Sequence, residues 1–229
     1  MKLMLIGGGN TRAGAWETKD IDIEAVKMTG LEKPNFLFVG IASQFADSYY
    51  DAMKAIYKEL GCECQYLKKK NIKNNPDIVA NKIKNADIIY IGGGDTIKLM
   101  TELEEYNLKD LFIEAINSNK VIVGISAGAI MLCSEGYSDA LMIRGESDKY
   151  DFIKGLGVLP IVFSPHHSDE KDNELASEIG DKTVYGLENG VALKIEDNKY
   201  SIIKSIKENN AYLINKDSKT ILDDSGVIM

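Results

Sequence analysis

Short, uninterrupted apolar runs recur along the first half of the chain, each closing on small or polar residues. Leu3 to Ile6 ends at Gly7-Gly8-Gly9-Asn10, Phe36 to Val39 at Gly40-Ile41-Ala42-Ser43, Ile88 to Ile91 at Gly92-Gly93-Gly94-Asp95, and Val121 to Ile125 at Ser126-Ala127-Gly128. Continuous runs of this length, rich in β-branched residues, suit strands buried on both faces, as in a parallel sheet. Segments with helical spacing lie between them. Ser48 to Leu60 predicts a helix stopped by Gly61, and Asn75-Pro76 predicts the capped start of a helix running to about Asn85. Asp95 can cap a helix from Thr96 to about Leu103. Strand and helix in alternation predict an α/β fold with a doubly wound, mostly parallel sheet flanked by helices. In such sheets ligands bind outside the carboxyl ends of the strands, so the glycine-rich turns and Ser126 are expected on one rim.

After about Thr183 the texture changes. Val184 to Leu187, Val191 to Ile195, Tyr200 to Lys204, Ala211 to Ile214 and Thr220 to Leu222 are short strand-like runs separated by polar turns, with no room for a helix of ordinary length. They predict C-terminal β-hairpins that extend or flank the main sheet. No repeat, low-complexity segment or linker interrupts the chain, and 229 residues suffice for one sizeable core. Residues 1–229 therefore read as a single α/β domain.

Charge and cysteine content narrow the function classes. A formal net charge of -8 argues against non-specific binding to nucleic acid or to an anionic membrane, both of which need excess Lys and Arg. Three cysteines, Cys62, Cys64 and Cys133, make no disulfide framework and fit a reducing compartment. The Cys62-x-Cys64 pair lacks a second ligand pair at zinc-site spacing. The first apolar run is too short for a signal peptide or a membrane helix. A cytoplasmic location is the expectation.

The sharpest chemical signal is Gly124-Ile125-Ser126-Ala127-Gly128, a G-x-S-x-G segment directly after a buried strand. A nucleophile elbow turns so tightly that the neighbours of the serine must be small, and it points Oγ outward near the amides of the following helix. A serine that merely caps a helix is the bland alternative. Serine needs a base, and the only histidines are His166 and His167, in Ser164-Pro165-His166-His167 after another strand-like run. Alternation along an extended chain lets one of them face Ser126 while the other faces out. Acids that could orient the imidazole include Asp139, Glu146 and Glu188. Gly92-Gly93-Gly94-Asp95-Thr96 could supply an oxyanion donor or a phosphate cradle, but no complete dinucleotide or Walker motif is present.

Ile91-Gly92-Gly93-Gly94-Asp95-Thr96, Gly124-Ile125-Ser126-Ala127-Gly128-Ala129 and Ser164-Pro165-His166, in this order and spacing, resemble the peptidase E family of serine peptidases. That family includes α-aspartyl dipeptidase and, more distantly, cyanophycinase. The N-terminal Leu5-Ile6-Gly7-Gly8-Gly9 and the late Gly186-Leu187-Glu188-Asn189-Gly190 are similar too. The resemblance implies a fold like the class I glutamine amidotransferases, with serine in place of their elbow cysteine. It implies Ser126 as nucleophile, His166 as base, and the Gly94 and Ala127 amides as oxyanion hole. For the acid, Asp139 best matches the family's bacterial branch, with Glu188 and Glu146 as alternatives. The implied activity is a serine exopeptidase acting on small peptides, dipeptides with N-terminal Asp among them, without metal or cofactor. An esterase or amidase, or a non-catalytic binding module, is the rival reading. Recognition of an Asp side chain calls for a cation, and Arg12 and Arg144 are the chain's arginines.

Overall fold

The computed structural model describes residues 1–11 and 15–228. Arg12, one of the two arginines considered above, lies outside the described residues. The first half alternates strand and helix: β1 (Lys2–Ile6), α1 (Lys19–Lys27), β2 (Asn35–Val39), α2 (Asp47–Glu59), β3 (Glu63–Tyr66), α3 (Lys69–Asn74), α4 (Pro76–Asn85), β4 (Ile88–Ile91), α5 (Thr96–Glu105), α6 (Lys109–Asn117) and β5 (Val121–Ile125). All five strands pair in parallel, in the order β1-β5-β4-β2-β3.

The reason for the unbroken apolar runs is visible in the packing. Leu3, Leu5, Leu37, Val39, Ile89 and Ile91 join one core, and Met4, Ile6, Phe36, Phe38, Ile88 and Tyr90 join another. Successive side chains of a strand point to opposite faces, and here both faces are covered. Helix ends follow local chemistry. Gly61 follows α2 with φ +88, and the Asp95 side chain accepts from the Lys98 N–H at 2.8 Å to cap α5.

Beyond β5 come α7 (Ala127–Leu132), β6 (Cys133–Ser138), α8 (Ala140–Arg144), β7 (Asp151–Lys154), β8 (Leu159–Ser164), α9 (Asp169–Glu178), β9 (Val184–Leu187), β10 (Val191–Glu196), β11 (Lys199–Lys204), β12 (Ala211–Asn215), β13 (Ser218–Ile221) and β14 (Ser225–Val227). The hairpin β10–β11 extends the main sheet antiparallel beside β1, and β14 closes that edge. A second, six-stranded sheet has the order β13-β12-β9-β8-β6-β7. The late strands thus divide between two sheets, a partition the hairpin pattern did not foresee. Every residue of α7 is buried, and its apolar side chains share one core with Ile122 of the main sheet and Phe163 of the second. The stretch before Asp139 is strand β6, and Asp139 stands at the N-cap of α8.

Candidate active site

The elbow is built by close approach. A Cβ on Gly124 would sit 2.3 Å from the Gly128 carbonyl oxygen, and one on Gly128 would sit 2.1 Å from that of Ile91. Only glycine fits at either position. Ser126 between them adopts φ 53 and ψ -114, a conformation that costs a non-glycine residue on the order of 1–3 kcal/mol. Surrounding contacts hold it there: the Ser126 N–H donates to the Ile6 carbonyl at 3.0 Å, and the Ser126 carbonyl accepts from Ala129 and Ile130.

His166 is held by the same loop. Its N–H donates to the Gly7 carbonyl at 2.9 Å, and its own φ is 47. Gly190 donates to the next carbonyl, that of Gly8, at 2.8 Å. Three consecutive carbonyls, from the last residue of β1 into the turn that follows, therefore position Ser126, His166 and the Asn189-Gly190 turn. The His166 Nδ1 lies 2.7 Å from the Asn189 Oδ1. A Cβ on Gly8 would fall 2.3 Å from both the imidazole and that Oδ1, so the pair packs flush against this glycine. The residue is exposed at the cleft mouth, yet its ring is enclosed by Gly8 and Asn189. Loss of water around the ring is the main cause lowering its pKa from 6.5; Lys171 lowers it further, and Asn189 and Asp139 oppose the shift.

Ser126 and His166 open into one cleft of about 880 Å³, also lined by Asn10, Glu17, Tyr49, Gly94, Asp95 and Asn189. The Gly94 loop crosses its floor with φ +134, where a Cβ would lie 2.4 Å from the Ala42 carbonyl oxygen. A Cβ on Gly93 would lie 3.2 Å from the Ser126 Cβ, so this loop runs directly beside the serine.

The three acids behave differently from the expectation. Among the described residues, none of them is hydrogen-bonded to His166. Glu188 accepts from the Asn210 N–H at 2.5 Å, and Glu146 takes Arg144 Nη1 at 3.4 Å. Asp139 acts on His166 only through space. The position against Nδ1 belongs to Asn189, which an acid-seeking reading of the sequence passes over although it stands in the Glu188-Asn189-Gly190 segment. His167 does not face solvent either. It is buried, with Nε2 2.7 Å from the Asp172 Oδ1 and Nδ1 3.5 Å from the Ser164 Oγ. The reason is the positive φ of His166, which breaks the extended alternation on which that expectation stood. Arg144 places its Nε 2.9 Å from the Asp95 Oδ2, beside the cleft. Among the described residues no group of three or more His, Cys, Asp or Glu is placed to hold a metal ion, and no helix is long and apolar enough to cross a membrane.

The model of peptidase family S51 matches residues 3–203. The uncharacterized peptidase YgaJ of Bacillus subtilis (strain 168) is 27% identical, covering 93% of this chain and 92% of its own. Peptidase E of Citrobacter koseri is 26% identical, covering 83% of this chain and 84% of its own. A crystal structure of a peptidase from an acI-B1 actinobacterium superposes with TM-score 0.75 at 20% identity, covering 99% of this chain and 96% of that one. A putative peptidase E from Listeria monocytogenes EGD-e gives TM-score 0.67 at 19% identity, covering 89% and 98%.

Proposed function

We propose that this chain, a serine peptidase that belongs to peptidase family S51, is an exopeptidase cleaving short peptides, dipeptides with N-terminal Asp among them, through Ser126, His166 and Asn189. The observation that carries the reading is the joint placement of a strained Ser126 and an Asn189-bound His166 on one cleft. With Asn189 Oδ1 accepting from Nδ1–H, the Nε2 lone pair is left to take a proton, the tautomer a general base requires. Asparagine in this role is known from cysteine peptidases with a Cys-His-Asn set.

In this mechanism Ser126 Oγ attacks the scissile carbonyl carbon as its proton passes to His166 Nε2. The negative charge on the carbonyl oxygen meets the Gly94 and Ala127 N–H groups. The C–N bond then breaks and His166 gives its proton to the departing amine. Water, deprotonated by the same imidazole, hydrolyses the acyl-enzyme and restores Ser126. The lining carboxylate of Glu17 is complementary to the α-ammonium group of a free N-terminus. Arg144 is the cation we assign to an Asp side chain. We place the protein in the cytoplasm, where its unpaired cysteines would stay reduced.

A fluorophosphonate probe followed by peptide mapping tests the reading. Labelling is expected at Ser126, with loss of both labelling and dipeptide hydrolysis in Ser126→Ala. An unlabelled Ser126, or an unchanged rate in the alanine variant, overturns it.

A further inference from the structure

Lys171, in the first turns of α9, is 4% exposed, an unusual place for an ammonium group. Among the described residues no carboxylate forms an ion pair with it. Its charge is met by two carbonyls and two rings. Nζ donates to the Pro165 carbonyl at 2.7 Å and to the Tyr137 carbonyl at 3.3 Å. It also lies 4.3 Å from the centre of the Tyr150 ring and 5.5 Å from that of Tyr137. Keeping a charge out of water in this way is costly, and a packed apolar side chain would staple α9 to the second sheet as well.

The Pro165 carbonyl and the His166 N–H are the two ends of one planar peptide unit. Lys171 holds the first, and the Gly7 carbonyl holds the second at 2.9 Å. The unit so clamped is the one that carries His166 into its left-handed conformation. The other arm of the lysine reaches the end of β6, where the neighbouring Ser138 Oγ meets the Thr96 Oγ1 at 2.8 Å, next to the Gly94-Asp95 turn. By way of Tyr137, Ser138 and Thr96, one ammonium thus connects the loop of His166 with the loop of Gly94.

We propose that Lys171 is a positioning residue for His166, clamping the Pro165–His166 peptide and bringing a positive charge near the imidazole. The proposal rests on the assignment of Ser126 and His166 above. The charge acts in the useful direction: Lys171 is among the causes that lower the His166 pKa, which keeps the base neutral. Burial in turn lowers the Lys171 pKa to about 8, against the pull of Asp139 and Glu174. The groups that set this balance are Asp139 beside β6, Glu174 on α9, Asn189 on the imidazole, and His167, whose pKa Lys171 also lowers.

The test compares wild type, Lys171→Met and Lys171→Gln by kinetics and by NMR titration of the two histidine rings. Lys171→Met is expected to lower kcat about 10- to 100-fold with KM within about twofold, the loss typical of a misplaced catalytic group. Its His166 titration should move to higher pH. Lys171→Gln, which keeps a donor for the Pro165 carbonyl, should recover part of kcat but keep the raised titration. Wild-type kcat together with a wild-type His166 titration in either folded variant overturns the proposal. Should neither variant fold, the wild type decides: the His166 ring must show, besides its own titration, a second inflection as Lys171 loses its proton below the ordinary lysine range, and a single inflection overturns the proposal. Ser126→Ala separates the two levels. An active Ser126→Ala removes the underlying assignment, whereas an inactive one beside an unaffected Lys171→Met removes only the role of the lysine.

Discussion

Ser126 and His166 donate their backbone N–H groups to consecutive carbonyls, those of Ile6 and Gly7. Both residues have positive φ, and both come from chain segments far from β1. The turn after the first strand is therefore the template on which the two halves of the site meet. Gly8 completes it, since its carbonyl takes Gly190 and its missing side chain leaves room for the imidazole.

That relationship makes Gly8 a sensitive position although it bears no reactive group. In Gly8→Ala the new methyl must displace the His166 ring or the Asn189 side chain, each 2.3 Å away. A displacement near 1 Å is expected to cut kcat about 100-fold. Steady-state kinetics with circular dichroism should show this loss in a folded protein.

The Asn189 contact predicts the acid limb of the pH–rate profile. The proposed mechanism requires neutral His166, so activity is expected at neutral pH and to fall as pH drops through a His166 pKa below 6.5. Asn189→Asp adds a carboxylate beside Nδ1, which favours the imidazolium, so the limb should move to higher pH. Asn189→Ala leaves the ring unoriented and is expected to lower kcat about 10- to 100-fold. Profiles of kcat/KM between pH 4.5 and 8 measure all three proteins.

Arg144→Glu sets a carboxylate against Asp95, whose Oδ2 now takes the Arg144 Nε at 2.9 Å. Under the proposed substrate assignment, kcat/KM for Asp-Ala should fall at least tenfold more than that for Ala-Ala. Equal losses on the two dipeptides would instead mean that Arg144 serves only the Asp95 turn.

Stability should carry the signature of Asp22. This buried carboxylate accepts from Trp16 Nε1, Thr18 Oγ1 and Tyr57 Oη at 2.7–2.9 Å, anchoring the end of the loop that includes Glu17. Burial is the main cause that raises its pKa from 3.8 to about 6, against those three donors. The folded state therefore binds its proton more tightly than the unfolded chain. The stability contributed by the protonated form is complete below about pH 4 and is lost as pH rises through about 6, a change on the order of 3 kcal/mol. Urea unfolding at pH 4.5 and 7 should show a smaller pH-dependent difference for Asp22→Asn than for wild type.

Much of the fold was legible because its signals are local. The unbroken apolar runs at β1, β2, β4 and β5 announce strands covered on both faces, and Gly61, Pro76 and Asp95 mark helix ends by their own backbone chemistry. Ser126 was legible for the same reason, since the elbow demands small residues within two positions of the serine. The division of later strands between two sheets was not, because β9 and β10 have similar runs and only partner choice separates them.

The sequence by itself determined which strands are buried, where the sharp turn carrying Ser126 falls, and that the two histidines sit together after another strand. Tertiary structure alone set His166 on the Ser126 cleft with His167 buried beside it, gave Asn189 rather than an acid the place on Nδ1, and brought Lys171 onto the Pro165 carbonyl. The physical reason is range. Strand burial and turn geometry are written within a few residues, whereas hydrogen-bond partners separated by 23 residues, as His166 and Asn189 are, depend on how β8, β9 and the turn after β1 converge.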